Sequence, residues 1–153
     1  MKKFELTSET KINIFGKKLF RIKALVSFGV VKTGETGGWV EKEENVNQSG
    51  DAWVFGNAEV FGNARVSGDA RVFGNAEVSG NADYTTIHGF GTQFRTTTFF
   101  RCKDKQVKVS CGCFYGTIPE FREQVKNTRD GKIAEEYLMI ADLMEKHFAE
   151  EAK

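Results

Sequence analysis

The chain has 153 residues, with 22 Lys and Arg against 21 Asp and Glu. That length fits one compact unit, and the near-balanced charge excludes a general nucleic-acid-binding or anionic-membrane-binding surface. No apolar run is long enough to span a bilayer, and the opening "MKKFELTSETKINIF" is too polar for a signal peptide, so the expected location is cytoplasmic. Three cysteines, Cys102, Cys111 and Cys113, are an odd set that fits reduced thiols better than a disulfide framework.

Residues 1 to 37 contain "KINIFGKKLFRIKALVSF", two alternating runs around Gly16-Lys17-Lys18, which predicts a β-hairpin in an N-terminal β segment. A six-residue unit, Gly-(Asn/Asp)-Ala-x-Val-x, follows and starts at Gly50, Gly56, Gly62, Gly68, Gly74 and Gly80. Gly followed by Asn or Asp tolerates left-handed backbone and marks a corner. Ala and Val, two apart, point to one side of a short extended piece. A corner and a strand every six residues predicts a parallel β-helix with three sides to a coil, over residues 38 to 88. Residues eighteen apart should then lie above one another: Trp53 over Arg71, Arg65 over Asp83, Phe55 over Phe73. An outward aromatic stripe of Phe55, Phe61 and Phe73 should be a covered contact side, and subunit packing is favoured over coverage by the chain's own ends.

Residues 89 to 153 are expected to form an α+β cap. Thr96 to Cys102 reads as a strand, Lys103 to Gln106 as a turn, and Val107, Val109, Cys111 and Cys113 alternate along a second strand. Thr117, Pro119 and Glu120 form a helix-start signal with a capping box. Ile118, Phe121 and Val125 make that helix's buried stripe, and after a break at Asp130-Gly131 a second helix buries Ile133, Tyr137, Ile140, Ala141, Met144 and Phe148.

On these repeats the chain resembles the hexapeptide-repeat family, which implies a left-handed parallel β-helix and a homotrimer, and for many members acyl transfer. The order of parts, with Gly37-Gly38-Trp39 before the hexads and "TTTFFR" (Thr96 to Arg101) and "CGCFYGT" (Cys111 to Thr117) after them, resembles short phage- and prophage-encoded accessory proteins. That resemblance implies a setting in the host cytosol, and no reaction.

No catalytic site is predicted. Acyl transfer needs a positioned general base; the two histidines, His88 and His147, stand at the end of the coil frame and near the end of the last helix, and no long loop interrupts the hexads to build an acceptor pocket. No metal site or cofactor is predicted either, since Cys111 and Cys113 would need two further ligands whose spacing nothing fixes. The residues that point to chemistry lie in "YTTIHGFGTQFRTTTFFR". Arginine forks and hydroxyls suit phosphate or carboxylate, and aromatic faces suit a ring or base. The expected ligand-binding set is Tyr84, His88, Phe90, Arg95, Thr96, Thr97, Thr98, Phe100 and Arg101. The function expected is non-enzymatic sequestration of a small anionic, nucleotide-like immune signal at subunit junctions. The alternatives are a structural or host-protein-binding module acting through the aromatic side, and an acyltransferase.

Overall fold

A computed structural model describes residues 2–149. Met1 of the N-terminal segment and the last four residues of the cap expected over 89 to 153 lie outside the described residues. Among the described residues eleven strands and two α-helices occur in the order β1 (Phe4–Ile12), β2 (Lys18–Ala24), β3 (Thr36–Val40), β4 (Trp53–Val54), β5 (Glu59–Val60), β6 (Arg71–Val72), β7 (Glu77–Val78), β8 (Tyr84–Phe90), β9 (Arg95–Arg101), β10 (Val107–Cys111), β11 (Phe114–Thr117), α1 (Ile118–Thr128) and α2 (Gly131–Phe148).

These elements correct the expected fold class. The protein is mainly β with a C-terminal helix pair, but its sheets are mixed and antiparallel, and it is not a left-handed parallel β-helix. Nor is the resemblance to hexapeptide-repeat and phage accessory proteins upheld. The largest sheet, ordered β1-β2-β3-β5-β7, joins an antiparallel half (β1-β2-β3) to a parallel half (β3-β5-β7); a second sheet, β11-β10-β9-β8, is wholly antiparallel. The physical reason is strand length. Each strand within the hexads is only two residues long, too short a ladder to carry a sheet alone, so longer strands before and after the repeats supply most of the pairing.

The six-residue period still governs local packing. Trp53 pairs with Arg71, Val54 with Val72, Glu59 with Glu77 and Val60 with Val78, each eighteen residues on. Ala52, Ala58, Ala64, Ala70 and Ala76, with Val54, Val60, Val66, Val72 and Val78, are buried in one core. Gly50, Gly56, Gly62, Gly68 and Gly74 take positive φ at the corners, but Gly80 is extended. The frame therefore ends with Val78, and Ala82 is exposed in a short 3-10 turn.

The flanking segments pack on the aromatic side of the repeats. Phe4 of β1 and Phe28 of the loop after β2 pack edge-on against Trp53, which is buried. Phe61 is buried with Leu19 and Trp39. Phe55 and Phe73 stack at 4.2 Å, and Tyr115 of β11 closes on Phe73 edge-on. Asp83 accepts hydrogen bonds from Ser79 and Gly80 and pairs with Arg101, not with Arg65.

The antiparallel sheet divides the molecule. Phe100 and Cys102 face the repeat core, whereas Phe99 and Val109 face the helices, where they meet Phe121, Tyr137 and Met144. Alternation along β9 produces this two-sidedness, and burying each of these phenylalanines contributes roughly 1.5–3 kcal/mol. Helix α1 starts as the sequence predicts: the Thr117 hydroxyl accepts from the Glu120 amide and the Glu120 carboxylate accepts from the Thr117 amide.

Candidate functional site

The sheet's two faces distribute the nine expected ligand-binding residues. Register pairs His88 with Thr96, Thr86 with Thr98 and Tyr84 with Phe100, all on the face toward the repeats, while Thr97, Phe99 and Arg101 alternate to the face toward the helices.

Six of the nine are engaged in the packing. Phe100 is wholly buried and stacks on Tyr115, so it presents no face to a ligand. Thr98 is buried and its hydroxyl accepts from the Arg71 amide at 3.1 Å. Buried Thr97 donates to the Cys111 sulfur. Tyr84 donates through its hydroxyl to the Arg65 carbonyl. Arg101 pairs with Asp83 at 3.3 Å, donates to the Phe148 carbonyl at 2.9 Å and lies over the Phe148 ring, which ties β9 to the end of α2. Phe90 packs against the helix-side cluster.

His88, Arg95 and Thr96 do come together. They line a cleft of about 360 Å³ between the repeats and the antiparallel sheet, with Arg71 and Asp69 on the repeat side and Ser110 on the sheet side. The His88 ring nitrogen Nδ1 lies 2.8 Å from the Thr96 hydroxyl oxygen. Arg95 reaches the cleft from the start of β9 by crossing the turn between β10 and β11. A Cβ built on Gly112, which has φ +58°, would lie 1.6 Å from Arg95 Nη1, so the guanidinium occupies space that only glycine leaves open.

Charge is unsatisfied in this cleft. Among the described residues, neither the Arg71 nor the Arg95 guanidinium forms an ion pair. Two unpaired guanidiniums with Thr96 and Ser110 hydroxyls can hold a phosphate or carboxylate through charge-assisted hydrogen bonds. The His88 imidazole lines the cleft but no Phe, Tyr or Trp does among the described residues, so it offers the charged part of a ligand more than it offers a base.

Sequence reasoning missed Arg71, Asp51, Asp69, Gln93 and Ser110 on this cleft. Arg71 occupies a variable hexad slot, and Ser110 belongs to an ordinary alternating strand; neither has a local signature. One signal was available: of the six corner positions after glycine, only 51 and 69 are Asp, and the other four are Asn.

The cysteines are dispersed by their surroundings. Cys102 is in the repeat core, and burial pushes its thiol up to about 12, which disfavours the thiolate a metal requires. Strand β10 ends at Cys111, and Cys113 falls in the following turn, exposed. Among the described residues no group of three or more His, Cys, Asp or Glu is placed to hold a metal ion, and no helix is long and apolar enough to cross a membrane.

Fold and cleft together define a mixed-sheet protein with an arginine-bearing polar site between its repeats and its antiparallel sheet. No protein-family model matches the chain, and no curated protein matches it.

Proposed function

We propose that the protein binds a small anionic, nucleotide-like molecule and holds it without chemical change. The observation that carries this reading is the pair of guanidiniums, Arg71 and Arg95, that face one polar cleft without an ion-pair partner among the described residues. Buried or half-buried arginines normally find anionic partners inside the protein. Here the hydroxyls beside them, on Thr96 and Ser110, are the groups that complete an oxyanion's coordination. Support for binding without turnover comes from the titratable groups: the His88 ring meets Thr96 across the hairpin, and no carboxylate is hydrogen-bonded to that ring among the described residues to fix it as a base.

The test is calorimetry with ADP, ADP-ribose and a cyclic dinucleotide, followed by heat release and mass analysis of the ligand. Binding of at least one, with the ligand recovered intact, is the expected result. Arg95→Ala should weaken it by about tenfold or more, the loss of one charge-assisted contact. Absence of binding by all three, or a ligand recovered in altered form, overturns the proposal.

A further inference from the structure

Two of the three cysteines meet in a second cavity, on the helix side of the antiparallel sheet. Cys111 closes β10 and pairs with Phe114 across the tight turn to β11, and Cys113 stands in that turn. Both line a cavity of about 200 Å³, whose walls include Phe121 and Arg129 of the α1 side and Tyr137 of α2. Residues two apart stand at most about 7 Å from Cα to Cα, and a turn shortens that toward the roughly 4.4–6.8 Å that a disulfide spans. Gly112, between them, has φ +58° and turns the chain without a side chain in the way. Cys102 is buried in the repeat core and takes no part.

The two sulfurs differ in access. Cys113 is exposed and Cys111 half-buried. The Thr97 hydroxyl donates to the Cys111 sulfur at 3.2 Å. Burial first, and then the neighbouring Cys111 sulfur, push the Tyr137 hydroxyl up, so it keeps its proton and is a donor beside the same atom. Two guanidiniums complete the surroundings. Arg95 lies over Gly112, between the cysteines, and Arg129 stands on the cavity wall. Neither forms an ion pair among the described residues. Donors and fixed positive charge suit sulfurs that carry negative charge as they attack and leave.

We propose that Cys111 and Cys113 are a redox pair that reduces a small-molecule disulfide and closes into a disulfide of its own. The Cys113 thiolate attacks one sulfur of the substrate, forms a mixed disulfide and expels the other half as a thiolate. The Cys111 sulfur, its proton lost to solvent, then attacks the Cys113 sulfur and expels the second half. Two electrons pass from the pair to the substrate, which leaves as two thiols carrying the two protons that the cysteines lost. The exposed sulfur begins because a substrate reaches it, and the half-buried one finishes because the turn already holds it beside its partner. A disulfide that bears carboxylates fits best, since Arg95 and Arg129 line the same cavity. The exchange does not depend on a ligand in the anion cleft.

Glutathione disulfide, which carries carboxylates, is added to the reduced full chain, and the tryptic peptide Val109–Arg122, which holds both sulfurs and not Cys102, is weighed by mass spectrometry. Expected is a peptide short of two hydrogens, with two glutathione thiols released per chain and reversal by dithiothreitol. Cys111→Ser should stop at the mixed disulfide on Cys113 with one thiol released. Cys113→Ser should react about tenfold or more slowly, because its remaining sulfur in this peptide is half-buried. Circular dichroism confirms that both variants fold. A wild-type chain that stays at the mixed disulfide, that forms disulfides only between chains, or that does not react overturns the proposal. So does a Cys113→Ser chain that reacts as fast as the wild type.

Discussion

Arg95 and Arg101 stand six residues apart on β9, and the same strand face sends them to different tasks. Arg101 is held by Asp83, the Phe148 carbonyl and the Phe148 ring, which makes it a clasp between sheet and helix. Arg95 begins the strand, and its side chain turns over Gly112 into the cleft. Arg101→Ala should therefore lower the stability of the fold by about 1–2 kcal/mol, the range for a part-exposed charged hydrogen bond, while ADP affinity is unchanged. Urea midpoints and calorimetry on the same variant read the two effects separately; a lost ligand with an unmoved midpoint would return Arg101 to the site. Gly112→Ala should do the reverse of Arg101→Ala. Its methyl group takes the place of the Arg95 guanidinium, so ligand affinity falls about as far as in Arg95→Ala, with a cost to the turn of about 1 kcal/mol for the left-handed backbone. "TTTFFR" made both arginines look alike because composition names the groups in a segment; only the end of the strand and a glycine in another strand determine where each one reaches.

At the scale of elements, Glu59 shows what hexad slots leave unsaid. It occupies the variable position between Ala58 and Val60, which periodicity reads as outward, yet it is 1% exposed. Lys11 of β1 pairs with its carboxylate at 2.9 Å and Lys103, in the turn after β9, at 2.7 Å, while Asn13 donates from 3.4 Å. One carboxylate thus fastens the N-terminal hairpin, the repeats and the antiparallel sheet. Burial pushes the Glu59 carboxyl up, but the hydrogen bonds and charges of Lys103 and Lys11 outweigh it, and the net direction is down. A carboxyl lowered in the folded state contributes stability at neutral pH, which is lost as pH falls below the unfolded value, about 4.5, and on through the folded one. Glu77, one rung along from Glu59, is raised by burial and then by the Glu59 charge, so it takes up its proton earlier on the way down. Glu59→Gln should cost about 2 kcal/mol at neutral pH, less than a fully buried pair because both lysines can turn to water. Between roughly pH 5 and 3 its urea midpoint should fall less steeply than that of the wild type. Parallel slopes would remove Glu59 from the acid transition. The lysines that cover this slot are more than forty residues from it in either direction, and no local pattern announces a contact of that range. The capping box at Thr117 and the buried stripes of α1 and α2 were legible because each is written within a few adjacent turns.

At the scale of the whole molecule, the repeats specified which side chains go inward but not which strands complete the sheets. Alanine and valine at fixed slots determine a local pleat, and a two-residue strand leaves its neighbours to be chosen by longer segments on either side. One cleft lies within the chain, where Asp69 and Arg71 of the repeats oppose His88, Thr96 and Ser110 of the sheet. What holds its walls together is also internal: Phe100 and Cys102 enter the repeat core, and Cys102 forms a bridge with Ala76. A site completed within each chain binds with an affinity that does not depend on how many chains associate. Calorimetry with ADP over a wide dilution series should therefore return one ligand per chain and a constant dissociation constant, whatever mass light scattering gives at each concentration. An affinity that strengthens with protein concentration, or one ligand shared among several chains, would mean that a second copy supplies part of the wall. Phe100→Ala adds an independent check. Truncating this buried ring should cost about 3–5 kcal/mol and loosen the seam between repeats and sheet, so affinity should fall although Phe100 touches no ligand; a variant that folds and binds like the wild type would place the anion elsewhere.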